Sequence, residues 1–225
     1  MGAAGDGTGR RCPQGQPAVA ANDAPAEGAA AFARAVGGRL VHVTAAANLP
    51  RIRAEGLHPA ADLARAAGID PAAIRLRAAP VALPGALLNH QRPLRMGRRA
   101  DFLDPGLTLD AWAALLDARV FLWPARRGAA FAASLRDRGA VALSLDPVRL
   151  FAALAPCLWL SPINSGDASR RPARRGPWLW LPAARLDDFP ANRMRRALAR
   201  RPDRVAEVSV TGHIAPDLIA FPDGA

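Results

Sequence analysis

The longest apolar run in this chain, Leu150 to Leu160, is cut by Pro156, so the fold has to be assembled from short elements. It also falls well short of the about 20 apolar residues that a membrane helix requires. Along the chain, strand and helix patterns alternate irregularly. Arg39 to Thr44 reads as a strand, and Ala46 to Glu55 as a helix with Leu49 and Ile52 inward and Gly56 as its stop. Ala60 to Ala67 and Pro71 to Arg77 read as short helices, the second with proline in its first turn. Thr108 introduces a helix over Leu109 to Asp117, and Arg119 to Trp123 follows as a buried strand. Arg127 to Arg138 is helical, Val141 to Leu145 a strand, and Asp146-Pro147 opens another helix. Trp178 to Leu181, Val205 to Val210 and Leu218 to Phe221 read as late strands. Short helices early and strands bunched late imply an α+β fold and exclude a doubly wound parallel sheet. No Gly-x-Gly-x-x-Gly occurs, which argues against a Rossmann dehydrogenase.

Residues 1–37 are mostly Gly, Ala, Pro and small polar side chains, with almost no large apolar residue before Phe32. Such a segment buries too little surface to offset its ordering entropy, so a mobile tail is expected there, with a single domain over 38–225. No basic segment followed by an apolar stretch opens the chain, and Cys12 and Cys157 stand far apart with no sign of a disulfide framework. His42, His58, His90 and His213 have no metal-ligand spacing. The expectation is a cytoplasmic protein with no membrane partner and no metal.

Composition narrows the chemistry. All 30 basic residues are arginine, and there is no lysine and no tyrosine. Walker-type phosphate loops, protein kinases, pyridoxal Schiff bases and tyrosine nucleophiles are thereby excluded. The formal charge of +11 is what GC-rich coding bias alone gives an arginine-only chain, so placement of the arginines matters more than their number.

Three segments put polar residues where a core strand favours apolar ones. His42 and Thr44 share one face of the first strand. Arg126 and Arg127 follow directly on a buried aromatic strand. In Arg204-Val-Ala-Glu-Val-Ser-Val210, Glu207 lies on the face of Val205 and Ser209. The pattern from Leu40 through His42, Thr44, Asn48, Leu49 and Ile52 to Gly56-Leu57 resembles the opening of DarT-type ADP-ribosyltransferases, with their His-x-Thr strand, Asn-Leu helix and Gly-Leu stop. Ala206-Glu207-Val208-x-Val210 and Ile214-x-Pro-x-x-Ile219 are similar to that family's late strand and the segment after it. Asn89 to Leu94 and Ser161 to Gly166 look instead like an uncharacterised bacterial family with related ends.

The resemblance implies a split mixed β-sheet surrounded by short helices, and NAD as a consumed substrate. His42, Thr44, Asn48 and Arg127 would hold NAD. Arg126 would assist catalysis, and Glu207 would stabilise the ribosyl cation as nicotinamide leaves. Arg170, Arg171, Arg174 and Arg175 cluster before Trp178, an arrangement suited to gripping phosphates and stacking a base. A nucleic acid, DNA before RNA, is therefore the expected acceptor, in a toxin or phage-defence setting with a cognate antitoxin as partner. The alternatives are transfer to a protein or small molecule, and a catalytically inactive module that binds nucleic acid or a partner.

Overall fold

The computed structural model describes residues 26–95, 102–134, 139–167, 174–191 and 205–222. The helices are α1 (Ala26–Val36), α2 (Leu49–Glu55), α3 (Ala60–Ala66), α4 (Arg92–Arg95), α5 (Leu109–Asp117), α6 (Ala125–Ser134) and α7 (Pro147–Leu154). The strands are β1 (Leu40–Ala45), β2 (Val81–Leu83), β3 (Ala86–Leu88), β4 (Arg119–Pro124), β5 (Ala140–Leu145), β6 (Leu158–Ser161), β7 (Leu181–Pro182) and β8 (Glu207–Thr211). Six strands form one sheet in the order β5-β1-β4-β8-β6-β7, and β2 with β3 forms a separate hairpin. The α+β class holds. Every named ladder of the large sheet is antiparallel, where a mixed sheet was expected; without βαβ crossovers nothing forces parallel neighbours.

One joint in the sheet is weak. β1 meets β4 only at Leu40↔Pro124 and Val41↔Trp123, whereas β1 pairs β5 along its whole length. Beyond Val41 the two strands part. The His42 imidazole reaches across that opening, its Nδ1 2.9 Å from the Phe121 carbonyl oxygen.

Strand alternation divides the buried side chains between two faces. Val120, Leu122, Leu158, Leu160, Val208 and Val210 turn to the larger core, which α1 and α7 cover. Phe121 and Trp159 turn to the opposite face, onto a second cluster with Trp112, Ile163, Leu179 and Trp180. α5 supplies Trp112 to that cluster, and its start is fixed by Thr108 Oγ1 accepting from the Ala111 amide at 3.1 Å. α7 is likewise capped by Asp146, whose carboxylate accepts from the amides of Val148 and Arg149.

Several local expectations change. Residues 26–36 are a helix and not part of a tail: Ala29, Phe32 and Val36 recur at helical spacing and are buried. Phe32, at 0% exposure, meets the Phe151 ring at 5.4 Å between centroids. The run Trp178–Leu181 is a 3₁₀ turn over Pro177–Leu179 followed by the two-residue β7, because Pro177 lacks the amide proton that a ladder uses. The apolar run Leu150–Leu160 splits at Pro156 into the end of α7, a 3₁₀ turn and β6, a strand hidden by its continuous hydrophobicity. Cys157 is disulfide-bonded; sequence separation carries no information on which sulfurs meet.

Candidate active site

The sequence of β8 places Glu207 and Ser209 on the tryptophan face of the sheet. Glu207 pairs with Ser161 on β6, and Ser209 lies between Phe121 and Trp159. Glu207 is 2% exposed. Its Oε1 accepts a hydrogen bond from Ser165 Oγ at 2.6 Å and a longer one from the Ser165 amide at 3.3 Å. Among the described residues both hydrogen bonds to this carboxylate come from Ser165. Burial pushes the carboxyl up to about 7, against which the Ser165 bonds and the positive charges of Arg119 and Arg175 act in the opposite direction.

Both arginines are themselves buried, Arg119 at 5% and Arg175 at 1% exposure. Arg119 opens β4 opposite Thr211, and its side chain runs along the sheet with Nη1 3.4 Å from Ser209 Oγ. The guanidinium stacks over Trp180 at 3.9 Å from the ring centroid and lies 5.4 Å from that of Trp159. Trp180 stacks in turn on Trp112 at 4.7 Å. Burial brings Arg119 down to about 10, with Glu207 opposing the shift. Arg175 donates through Nη2 to the carbonyls of Asn164, at 3.4 Å, and Asp167. Its backbone is held by Phe102 and Asp104. The result is an acid beneath a short loop, between two cations, against a tryptophan wall.

Of the residues singled out from sequence, some come together. Thr44 and Asn48 do: Asn48 Nδ2 donates to Thr44 Oγ1 at 2.8 Å. The rest of the Asn48 amide is used on β3, donating to the Leu87 carbonyl and accepting from the Leu87 amide. Asn48 thus pins the β2–β3 hairpin to the start of α2. Burial lowers the His42 imidazole from its ordinary range, so its neutral form is favoured, and its Nδ1 can donate to Phe121. By alternation, though, His42 and Thr44 follow Leu40 to the α1/α7 face, opposite to Glu207. Across the opening between β1 and β4, His42 reaches the Phe121 carbonyl oxygen.

The Gly-Leu stop and the Ile-x-Pro segment also meet. The amides and carbonyls of Leu57 and Ile214 exchange hydrogen bonds at 2.9 and 2.8 Å. Gly56 allows it: at φ +84 a Cβ there would stand 2.1 Å from the Ile214 carbonyl oxygen.

The arginine assignments shift. Arg126 and Arg127 are exposed in the first turn of α6, and the cations that act on Glu207 are Arg119 and Arg175. Arg174 is exposed, at the edge of a hollow of about 440 Å³ lined by Phe102, Leu103, Asp104, Pro105, Leu107 and Leu109. Arg175, expected on a nucleic-acid surface, is instead interior: the carbonyls that hold it and its charge partner Asp167 draw the guanidinium inward. Trp178 is half-buried against the tryptophan cluster. Arg170 and Arg171 lie outside the described residues.

Sequence reading passed over Arg119, Ser165, Trp159 and the cationic role of Arg175. Arg119 had a signal, a charge on the same alternation as Phe121 and Trp123. Ser165 had none, because its contact with Glu207 spans 42 residues and rests on a loop without periodicity.

The fold and this site define a class: an α+β domain with an opened antiparallel sheet and a buried acid among arginines. Residues 38–221 match a family of unknown function, DUF7002, and the chain belongs to that family. No curated protein and no solved structure matches it. Helix α1 precedes the matched span yet supplies Phe32 to the core.

Proposed function

We propose that this protein transfers ADP-ribose from NAD to an acceptor, with Glu207 as the catalytic carboxylate. The observation that carries this reading is the setting of Glu207, whose carboxylate already accepts a hydroxyl at 2.6 Å. A ribose 2′-hydroxyl makes the same contact. In the reaction the bond from ribose C1′ to the nicotinamide nitrogen breaks, and its electron pair leaves with nicotinamide. The acceptor's lone pair forms the new bond to C1′, and the acceptor's proton passes to solvent. The ionised carboxylate, bonded to the 2′-hydroxyl, stabilises the positive charge that develops at C1′.

The residues present fit NAD in kind. Arg126 and Arg127, exposed just after β4, offer forked donors for a diphosphate. Neutral His42, with Nδ1 turned to Phe121, keeps Nε2 as an acceptor, and it would serve NAD only across the opening between β1 and β4, since its strand position faces away from Glu207. We take the acceptor to be a nucleic-acid base, DNA before RNA, with Arg174 and its neighbours Arg170 and Arg171 meeting phosphates, in a toxin or phage-defence setting that includes an antitoxin. Among the described residues no helix is long and apolar enough to cross a membrane. A cytoplasmic location belongs to the proposal.

Incubation with NAD labelled on the adenylate, alongside separate pools of DNA, RNA and protein, tests the reading. Label in DNA is expected; label only in protein moves the acceptor, and none in any pool with NAD intact removes the reaction. The burial of Glu207 favours one rival, an inactive binding module on the same scaffold. That rival requires Glu207→Gln to leave every cellular effect of the protein unchanged.

A further inference from the structure

The segment after β6 deserves a role of its own. Ser161, Pro162 and Ile163 are buried, Ile163 within the tryptophan cluster, so the chain is anchored there. The next four residues form a turn around Asn164, whose Oδ1 accepts from the amides of Gly166 at 2.9 Å and Asp167 at 3.0 Å. Arg175 holds the same turn by the carbonyls of Asn164 and Asp167. The turn delivers Ser165, itself 0% exposed, onto Glu207 with hydroxyl and amide together.

We infer that the Ser165 hydroxyl occupies the seat of a ligand hydroxyl on Glu207, and that residues 164–167 form a strap which must leave before a ribosyl ligand binds. The inference rests on the proposed function for the ligand's identity, but the occlusion itself stands on geometry alone. Glu207 is 2% exposed and pairs with β6 at Ser161, while its ladder with β4 ends at Val208. With Glu207 so buried and Ser165 seated on Oε1, a ribose hydroxyl reaches that oxygen only when Ser165 moves away. Arg175 then has two tasks: closed, it latches the strap through the Asn164 and Asp167 carbonyls; open, its guanidinium is released beside Glu207, where it can meet a ligand phosphate.

The test uses the full chain and two variants. Asn164→Ala removes the acceptor that shapes the turn without touching Glu207. Ser165→Ala removes the competing hydroxyl. Each protein is treated with a water-soluble carbodiimide and glycine ethyl ester, and labelled carboxyls are mapped by mass spectrometry. Asp117, buried elsewhere at 3% exposure, reports unfolding if it labels. In parallel, NAD consumption is measured on the unlabelled proteins. The strap predicts slow labelling of Glu207 in the parent, a rise on the order of fivefold or more in both variants with Asp117 still protected, and a matching gain in NAD turnover. Glu207 labelling as fast in the parent as in the variants overturns the strap. So does a rise in labelling alongside parent turnover that neither variant improves. Faster labelling with no NAD consumed by any form leaves the occlusion standing and removes the NAD reaction, so the two failures are told apart.

Discussion

Two carboxylates are buried to nearly the same depth, Asp117 at 3% and Glu207 at 2% exposure, and they are held in opposite ways. Asp117, the last residue of α5, takes Arg77 Nη1 at 2.9 Å and Gln91 Nε2 at 3.0 Å on Oδ1. The other Asp117 oxygen is buried with no hydrogen-bond partner among the described residues. The same Gln91 accepts from the Leu76 amide, fixing Leu76 at φ +52, a left-handed backbone that costs a non-glycine residue about 1–2 kcal/mol. Glu207 has no guanidinium on its oxygens among the described residues; its donor is the neutral Ser165, and Arg119 and Arg175 act from further away. Burial raises both acids. At Asp117 a direct ion pair and two hydrogen bonds oppose the rise, so the charge is committed to fastening the Leu76–Gln91 region to α5. At Glu207 the charge is uncommitted near neutral pH, which is the state a reacting carboxylate needs.

If that contrast is sound, the largest effect comes from breaking the committed pair. Asp117→Ala leaves Arg77 buried without its anion and is expected to lose about 3–5 kcal/mol of stability, measured by urea unfolding. The corresponding loss in Glu207→Gln is expected to be small at neutral pH, because an amide can still accept from Ser165 and no paired cation is stranded. Equal losses in the two variants would erase the distinction.

Turnover sharpens the same contrast from the other side. Glu207→Gln is expected to lower NAD turnover roughly 10²–10³-fold, the usual scale for removing one group that acts on developing charge, while NAD binding persists. Asp117→Asn, which keeps shape and one acceptor, is expected to change turnover only severalfold at a temperature where it stays folded. Turnover that falls in Asp117→Asn as far as in Glu207→Gln would make the Arg77–Asp117 network part of the chemistry.

The contrast also shows what the sequence made legible. Glu207 was visible because β8 alternates cleanly, and the Asn48–Thr44 pair because both sit at helix-start and strand positions with local spacing. The α+β class followed from element lengths. Arg77–Asp117 spans 40 residues and Arg175–Glu207 spans 32 in sequence, and no periodicity links such partners. Exposure was the other gap. An arginine run before tryptophans reads as a solvent loop, whereas carbonyls gathered by the 164–167 turn draw Arg175 inside. Helix α1 was misread because an alanine-rich segment resembles a flexible tail in composition, although Ala29, Phe32 and Val36 carry helical spacing.

The smallest expected effect is also the most direct reading of how Glu207 is held. Its carboxyl sits at about 7 in the fold against 4.5 unfolded. Between those values the folded state binds more protons than the unfolded one, so the stability tied to Glu207 is full below pH 4.5, declines as pH rises toward 7 and is gone above it. The decline is at most about 3 kcal/mol, and it is read as the stability of the parent minus that of Glu207→Gln, which does not titrate there. On the proposed function, turnover moves the other way over the same window, because that reaction calls for the ionised carboxylate. The groups facing Glu207 are Ser165, Arg119 and Arg175, with Asp167 beside Arg175, so loosening the strap lets water in and shifts the midpoint of both curves down together. A parent protein that instead gains stability over Glu207→Gln as pH rises would mean that Arg119 or Arg175 grips the carboxylate as Arg77 grips Asp117, and the two sites would then be alike.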